Sequence, residues 1–306
     1  MSLPGVLDPR PVITGVTKTA KSSDKAFYNW AFDWYSATIR DDSVGGQNGF
    51  LVVDELEKWF ARCVIEEDSP LYGYGSCSRI RGAEGETLAR VMWAGKQPWP
   101  LVLTSGVGCA ATVRAVRALW PVSHQVSRAD AAADVDSPGA FEELSRLAID
   151  FADERGITVD FAGDWHRRVR GRTVYIGSRS SAVFLRIYEK GKQMRQNGLV
   201  DASLDWVRVE LSVKPLKGCR QTAAFVDASE LWGFSKWGTA FRKRLDGVEV
   251  EPLRMKEHRE TDQQRAFRAC MRQYGATLAR EAHRLGSWDA LGPFLRDSID
   301  ALSGGV

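Results

Sequence analysis

The sequence predicts an α+β fold: an antiparallel or mixed β-sheet covered by helices, followed by a helical C-terminal region. Three observations predict it. Short segments alternate polar and apolar residues at period two, and segments with apolar residues at helical spacing separate them. The order strand–helix–strands–helix occurs twice along the chain, and from about residue 233 the pattern is helical. With 306 residues, 44% of them hydrophobic and 26% charged, the chain can bury a sizeable core without staples.

Residues 1–24 lack periodicity and read as an irregular lead-in. Residues 32–38 form the first predicted strand, with Phe32, Trp34, Ser36 and Thr38 on one face and Asp33, Tyr35 and Ala37 on the other. A Gly- and Asp-rich loop, 41–49, precedes a helix at 51–64 built on Leu51, Val52, Leu56, Trp59, Phe60 and Val64. The Gly-studded stretch 71–83 leads to strands at 87–94 and 100–105, joined by the loop AGKQPW. A helix follows at 109–120, turning Val113, Val116 and Leu119 inward. The second round opens with a strand at 125–134. Ser137-Pro138 then starts a helix that runs to about Glu154, with Gly156 as its cap. Strands are predicted at 157–162, 172–177, 182–189 and 205–213, and helices near 217–228, 261–284 and 287–302. The expected organisation is a lead-in over 1–24, a main domain over 25–232 and a helical region over 233–306.

Charge is near balance overall, with 42 Lys+Arg against 39 Asp+Glu, which argues against a tail-type nucleic-acid binder that works by basicity alone. It is unevenly placed. Residues 1–150 hold 15 basic and 19 acidic residues, a net of −4, and residues 151–306 hold 27 and 20, a net of +7. The span 155–195 alone holds 10 basic and 3 acidic residues. An anionic partner and a solvated basic face are both consistent with that asymmetry. The five cysteines are scattered and form no C-x-x-C, so neither a zinc ribbon nor a disulfide framework is expected. No apolar signal core and no run of about 18 apolar residues is present. The expectation is a soluble, reduced protein of the bacterial cytoplasm, with no membrane partner. There is no P-loop motif, no G-x-S-x-G and no histidine pair at metal-ligand spacing. GVGCAA at 106–111 is only a weak echo of a dinucleotide loop.

Three strands of the second half share a pattern. Alternation puts Arg128, Asp130, Ala132 and Asp134 on one face of the first. It puts Phe184, Arg186, Tyr188 and Lys190 on one face of the second, and Trp206, Arg208, Glu210 and Ser212 on one face of the third. Their other faces are small or apolar. If the strands are neighbours, Asp130 and Glu210, with Asp134, could hold a hard cation such as Mg²⁺ or Mn²⁺. Tyr188 would supply a hydroxyl nucleophile, and Arg186, Arg208 and Lys190 would neutralise charge at a phosphodiester. Metal, tyrosine and cations together describe a DNA strand transferase. The same residue types also suit the solvated face of an ordinary antiparallel sheet.

TVYIGSRSSAVFLRIYEKGKQ (173–193) followed by DWVRVELSVKP (205–215) resembles the replication initiation factor (Rep_trans) family, whose members start rolling-circle replication of plasmids and filamentous phages. The matching pieces are Arg128-Ala129-Asp130, Tyr175-Ile176-Gly177-Ser178-Arg179, Arg186-Ile187-Tyr188-Glu189-Lys190 and Trp206-Val207-Arg208-Val209-Glu210. DWYSATI (33–39) and LTSGVGC (103–109) are looser likenesses upstream. The resemblance implies the rolling-circle nuclease fold and makes Tyr188 the nicking nucleophile. It also gives the carboxylates of the flanking strands, Asp130 and Glu210, to a metal, with Asp134 as a second acidic position. The alanine run 131–133 departs from the bulkier residues of relatives. Tyr175 is the competing nucleophile. Arg167, Arg168, Arg170, Arg172, Arg179 and Lys192 are expected to hold the DNA backbone beside the site. The expected partner is a double-strand origin, single-stranded at the nick. FRKRLDG (241–247) and Arg265, Arg268, Arg272, Arg280 and Arg284 suit the origin duplex, a host helicase or a second subunit of a homodimer, or a solvated helix face. A relaxase of a conjugative element and a non-catalytic DNA-binding regulator are the alternative functions.

Overall fold

The structure, a computed structural model, describes residues 15–16, 28–44, 48–253 and 262–303. It divides into two compact units, Met1–Lys256 and Glu257–Val306. In the first unit the strands are β1 (Gly15–Val16), β2 (Ala31–Ile39), β3 (Cys63–Glu67), β4 (Ser76–Gly82), β5 (Thr87–Trp93), β6 (Leu101–Ser105), β7 (His124–Asp136), β8 (Val159–Gly163), β9 (Arg172–Ile176), β10 (Val183–Tyr188) and β11 (Trp206–Val213). Its helices are α1 (Phe50–Phe60), α2 (Cys109–Leu119), α3 (Ala140–Asp153), α4 (Lys190–Gln196), α5 (Thr222–Phe225) and α6 (Lys236–Asp246). The second unit holds α7 (Asp262–Arg284) and α8 (Trp288–Ser303).

One sheet runs β3-β4-β5-β6-β2-β7-β11-β10-β9-β8, antiparallel at every step, with β1 added parallel to the far end of β7. The order is symmetric about the β2–β7 pair. Each half is a strand, a helix and four further strands that return to the first, so the repeated grammar of the sequence becomes two mirrored wings of one sheet. One face is covered. Val52, Leu56 and Val116 of α1 and α2 pack on Ile80, Val91 and Val102. Phe141, Leu144 and Phe151 of α3, with Trp232 and Phe241, pack on Ile176, Leu185, Ile187, Val209 and Leu211. Complete burial of side chains such as Leu185 and Leu211 contributes about 2 kcal/mol each. Ala129, Ala131 and Ala133 of β7 are buried under this layer, and their small side chains leave room for large helix residues such as Phe151.

Local chemistry sets the ends. Glu142 and Glu143 sit in the first turn of α3, where the helix dipole favours them. Gly156, at φ 62°, closes the helix, and the Ile157 N–H donates to Ala152 O at 2.9 Å, as the sequence predicts. Other expectations need correction. α1 stops at Phe60, where Ala61 takes φ 58°, and the β-branched CVIEE becomes edge strand β3 instead of more helix. The Gly-studded stretch contains β4, whose Cys77 and Ile80 are buried. The helix expected over 217–228 breaks at extended Val226, because Asp227 and Glu230 form a capping box that starts a new turn. Residues 190–196 form α4, so Lys190 and Lys192 are helix residues. The segment 233–256 falls in the first compact unit, and Phe241 of α6 lies in its core.

Candidate active site

On the other face of the sheet the register joins the three patterned strands. Tyr188 lies opposite Arg208 and Arg186 opposite Glu210 across β10–β11. Arg208 lies opposite Asp134 and Ser212 opposite Asp130 across β11–β7. Each predicted acid meets a basic partner. The Arg186 guanidinium donates to Glu210 Oε1, and the Tyr188 hydroxyl donates to Glu210 Oε2 at 3.3 Å. Arg208 donates to both oxygens of Asp134 at 2.7 Å and to Asp33 Oδ1 at 2.6 Å. Arg128 makes a fork on Asp130 at 2.9 and 2.5 Å, and the Ser212 hydroxyl adds a bond to Asp130 at 2.7 Å. Lys190 lies 5.7 Å and Arg186 5.2 Å from the Tyr188 ring centroid.

Asp33 is the participant that alternation misplaced. A bulge between Phe32 and Trp34 inserts Asp33 as the extra residue of β2 and turns its carboxylate to the polar face. The only sequence signal for it was its place in DWYSATI. The register also shows why the site is single. Arg90 of β5 faces Leu103 of β6, as Arg186 faces Glu210, and Met92 faces Leu101, as Tyr188 faces Arg208. In the first wing those positions form a small apolar cluster of Cys77, Met92, Leu101 and Leu103, and Arg90 pairs with Asp68 at 2.6 Å.

The centre is buried, and burial dominates the shifts of its titratable groups. Tyr188 is 7% exposed and Glu210 0%. Burial, followed by the Glu210 carboxylate, raises the Tyr188 phenol well above the ordinary tyrosine range, so ionisation needs a proton acceptor or compensating positive charge. Burial also lifts Glu210 from 4.5 to about 7, opposed by Arg186 and assisted by Asp130 and Asp33. A carboxyl in that range at neutral pH suits proton transfer from a bound hydroxyl. Lys190 is lowered by desolvation and by Arg208. Because folded Glu210 holds its proton more tightly than the unfolded chain does, its stabilising contribution is complete below about pH 4.5. It fades as the pH rises through about 7. The stability of the wild type relative to Glu210→Gln should therefore fall between about pH 5 and pH 8. Urea midpoints at the two pH values check this, and a pH-independent difference would refute it.

Oxygen donors of this kind fit a hard cation by chemical type, with Glu210 and Asp130 buried on adjacent strands and Asp130 raising the protonation of Glu210. Among the described residues no group of three His, Cys, Asp or Glu stands in ligating geometry, and each of these carboxylates is engaged by an arginine. The nitrogen Arg186 Nε is buried and has no hydrogen-bond partner among the described residues. Its N–H can therefore still donate to a ligand oxygen.

The expected DNA contacts separate into two groups. Arg167, Arg168 and Arg170 are exposed on the β8–β9 loop, and Arg179 is exposed with its guanidinium 5.1 Å from the Tyr175 ring centroid. Arg172 and Lys192 are engaged within the protein. Arg172 is 6% exposed and donates to Glu189 and Glu142, and the half-buried Lys192 pairs with Glu189 at 2.8 Å. Arg172→Ala should cost about 3–5 kcal/mol of stability by leaving Glu189 buried and underpaired, whereas Arg167→Ala should stay within about 0.5 kcal/mol. Chemical denaturation checks both. Tyr175 faces Asp160 and Arg186 on neighbouring strands, and no hydrogen bond joins its hydroxyl to a carboxylate as Tyr188 is joined to Glu210 among the described residues. In FRKRLDG, Arg242, Lys243 and Arg244 pair with Asp246, Glu249 and Glu154. In α7, Arg284 pairs with Glu281, and Arg280 donates to Thr277. The side chains of Arg265, Arg268 and Arg272 lie outside the described residues. No described helix is long and apolar enough to cross a membrane.

A family model described as replication initiation factor matches residues 125–264. No curated protein matches the chain. Among solved structures, it is similar to the rolling circle replication initiator protein from Geobacillus stearothermophilus at 15% identity, over 74% of this chain and 99% of that chain, with a TM-score of 0.48. The matched residues include all of β10 and β11 and all but the first residue of β7. Tyr188, Arg186, Arg208, Glu210, Asp130 and Asp134 all lie within the residues that the replication initiation factor model matches.

Proposed function

We propose that the protein nicks one strand of a double-strand origin with Tyr188, keeps the 5′ phosphate on the tyrosine and releases a 3′ hydroxyl from which a polymerase extends. The observation that carries this reading is the Tyr188 hydroxyl donating to Glu210 at 3.3 Å inside a ring of Arg186, Arg208 and Lys190. Oη attacks phosphorus, the P–O3′ bond breaks, and the departing oxygen takes up a proton. One phosphoester replaces another, so the strand can be rejoined later without a nucleotide cofactor. In this reading Glu210 Oε2, which accepts the Tyr188 hydroxyl, takes the phenolic proton. Arg186, whose Nε has no partner among the described residues, and Lys190 neutralise the phosphoryl oxygens, and Arg208 pairs with Asp134 and Asp33. Mg²⁺ or Mn²⁺, when bound, supplies Lewis-acid neutralisation of the phosphodiester. Glu210 and Asp130 would hold it, with Asp134 or Asp33 as the further carboxylate, once Arg128 and Arg186 yield their oxygens to it.

The match of residues 125–264 to a replication initiation factor family supports initiation as the setting, and the basic loop beside β10 supports DNA as the partner. The test uses supercoiled plasmid carrying the origin adjacent to this gene, incubated with Mg²⁺ or Mn²⁺. Open circles bearing protein on the 5′ end support the reading. Binding with no nick under either metal would overturn it in favour of a DNA-binding regulator.

A further inference from the structure

The β8–β9 loop, residues 164–171, is an exposed segment with an extensive internal brace. The Asp164 carboxylate accepts the backbone N–H groups of Arg167, Val169 and Arg170 at 2.9, 3.0 and 3.3 Å. Those hydrogen bonds hold its pKa below the usual aspartate range. The Lys192 ammonium donates to the Arg168 carbonyl at 2.9 Å. The Trp165 indole donates to Ala162 O at 3.0 Å, and its ring packs edge-on against Phe161 at 4.9 Å and against Phe141 at 5.9 Å. At the base, Gly163 takes φ 92°, and a Cβ there would stand 2.0 Å from Gly171 O, so only glycine lets the two ends meet. Loops this exposed are ordinarily free to move; this one is tied by five hydrogen bonds.

Its tip carries Arg167, Arg168 and Arg170 around Val169, which is 76% exposed. Nothing in the core explains that valine. The base of the loop is joined to the nucleophile's own strand. Thr173 pairs with Tyr188, the Glu189 N–H donates to Arg172 O at 3.2 Å, and the Glu189 carboxylate holds Arg172. A braced basic loop with an aliphatic summit, anchored one residue from the tyrosine, suits the junction at which one DNA strand must leave its complement to reach the site. Arginines neutralise phosphates on either side, and an inserted aliphatic side chain covers an unstacked base step.

We propose that this loop is a strand-separating wedge. Arg167, Arg168 and Arg170 grip the backbone of the duplex beside the nick site, and Val169 enters the base stack at the single-strand–duplex junction. The inference rests on DNA as substrate but not on the chemistry at Tyr188, so it can be tested in EDTA, without cleavage. The probe is a fluorescein-labelled synthetic DNA fork with 2-aminopurine at the first base pair of its duplex. Wild-type protein should raise 2-aminopurine fluorescence on binding. Arg167→Ala/Arg168→Ala/Arg170→Ala should weaken fork binding at least about tenfold at about 0.15 M salt and reduce the salt slope by about 2–3, about one for each phosphate left without its arginine. Val169→Ser should keep the slope and lose the fluorescence rise. Thermal unfolding equal to wild type, expected at such exposed positions, shows that the variants are folded. A triple variant that binds the fork with wild-type affinity and slope, or a Val169→Ser variant with a full fluorescence rise, overturns the wedge. Either result leaves the nicking reading standing, and a failure of Tyr188 chemistry leaves the wedge standing.

Discussion

Tyr188→Phe is expected to abolish nicking and the covalent 5′ adduct, lowering the cleavage rate by roughly three orders of magnitude or more while origin binding stays within about twofold. The substitution removes one oxygen. The ring stays between Arg186 and Lys190, and the buried Glu210 loses one neutral hydrogen bond rather than its charged partner. A fold defect is therefore not expected, and binding measured on the same preparation controls for it. Denaturing gels of DNA labelled downstream of the break, on the fragment whose 5′ phosphate the tyrosine holds, read the adduct directly. If Tyr188→Phe nicks as fast as wild type, the nucleophile is elsewhere, and Tyr175, which faces Arg186 from β9, is the next to be replaced.

Glu210 is the second position where a large effect is expected, and the structure dictates which substitution to use. Its carboxylate is fully buried against Arg186, so Glu210→Ala leaves that guanidinium without its carboxylate and costs about 3–5 kcal/mol. Lost activity in that variant would be ambiguous. Glu210→Gln keeps the volume and an oxygen for Arg186 but can neither take the phenolic proton nor carry the charge that a divalent cation requires. It is expected to lower cleavage at least about a hundredfold with DNA affinity little changed. The two roles of Glu210 separate on metal titration. If it is a ligand, the Mn²⁺ concentration needed for half-maximal residual activity rises. If it acts as a base alone, that concentration stays put and the rate falls at every pH. A Gln variant that cleaves at the wild-type rate would remove Glu210 from both roles.

The pattern Arg128–Asp130–Asp134, Arg186–Tyr188 and Arg208–Glu210 was legible in the sequence because a β-strand shows alternate residues on one face, and over these residues that rule held, the irregularity of β7 falling just before Arg128. It failed at Asp33, where one bulge shifts the alternation, and it ran one residue too far at Lys190, which begins α4 yet still lies beside Tyr188. It also could not distinguish Arg172 from Arg167. The two belong to one basic run, but Glu189 and Glu142, distant in sequence, draw Arg172 inward.

The sequence by itself determined the class of fold, the repeated strand–helix grammar and the three polar strand faces. Each of these depends on local periodicity or on residue type. Only the tertiary structure decided that the two rounds mirror each other about β2 and β7, that one wing holds Tyr188, Arg208 and Glu210 where the other holds Met92, Leu101 and Leu103, and that Glu210, Asp134 and Asp33 each meet an arginine from another strand. Those outcomes depend on which strands pair and in what register. Register comes from hydrophobic burial summed over the whole sheet, which no single segment of the chain contains.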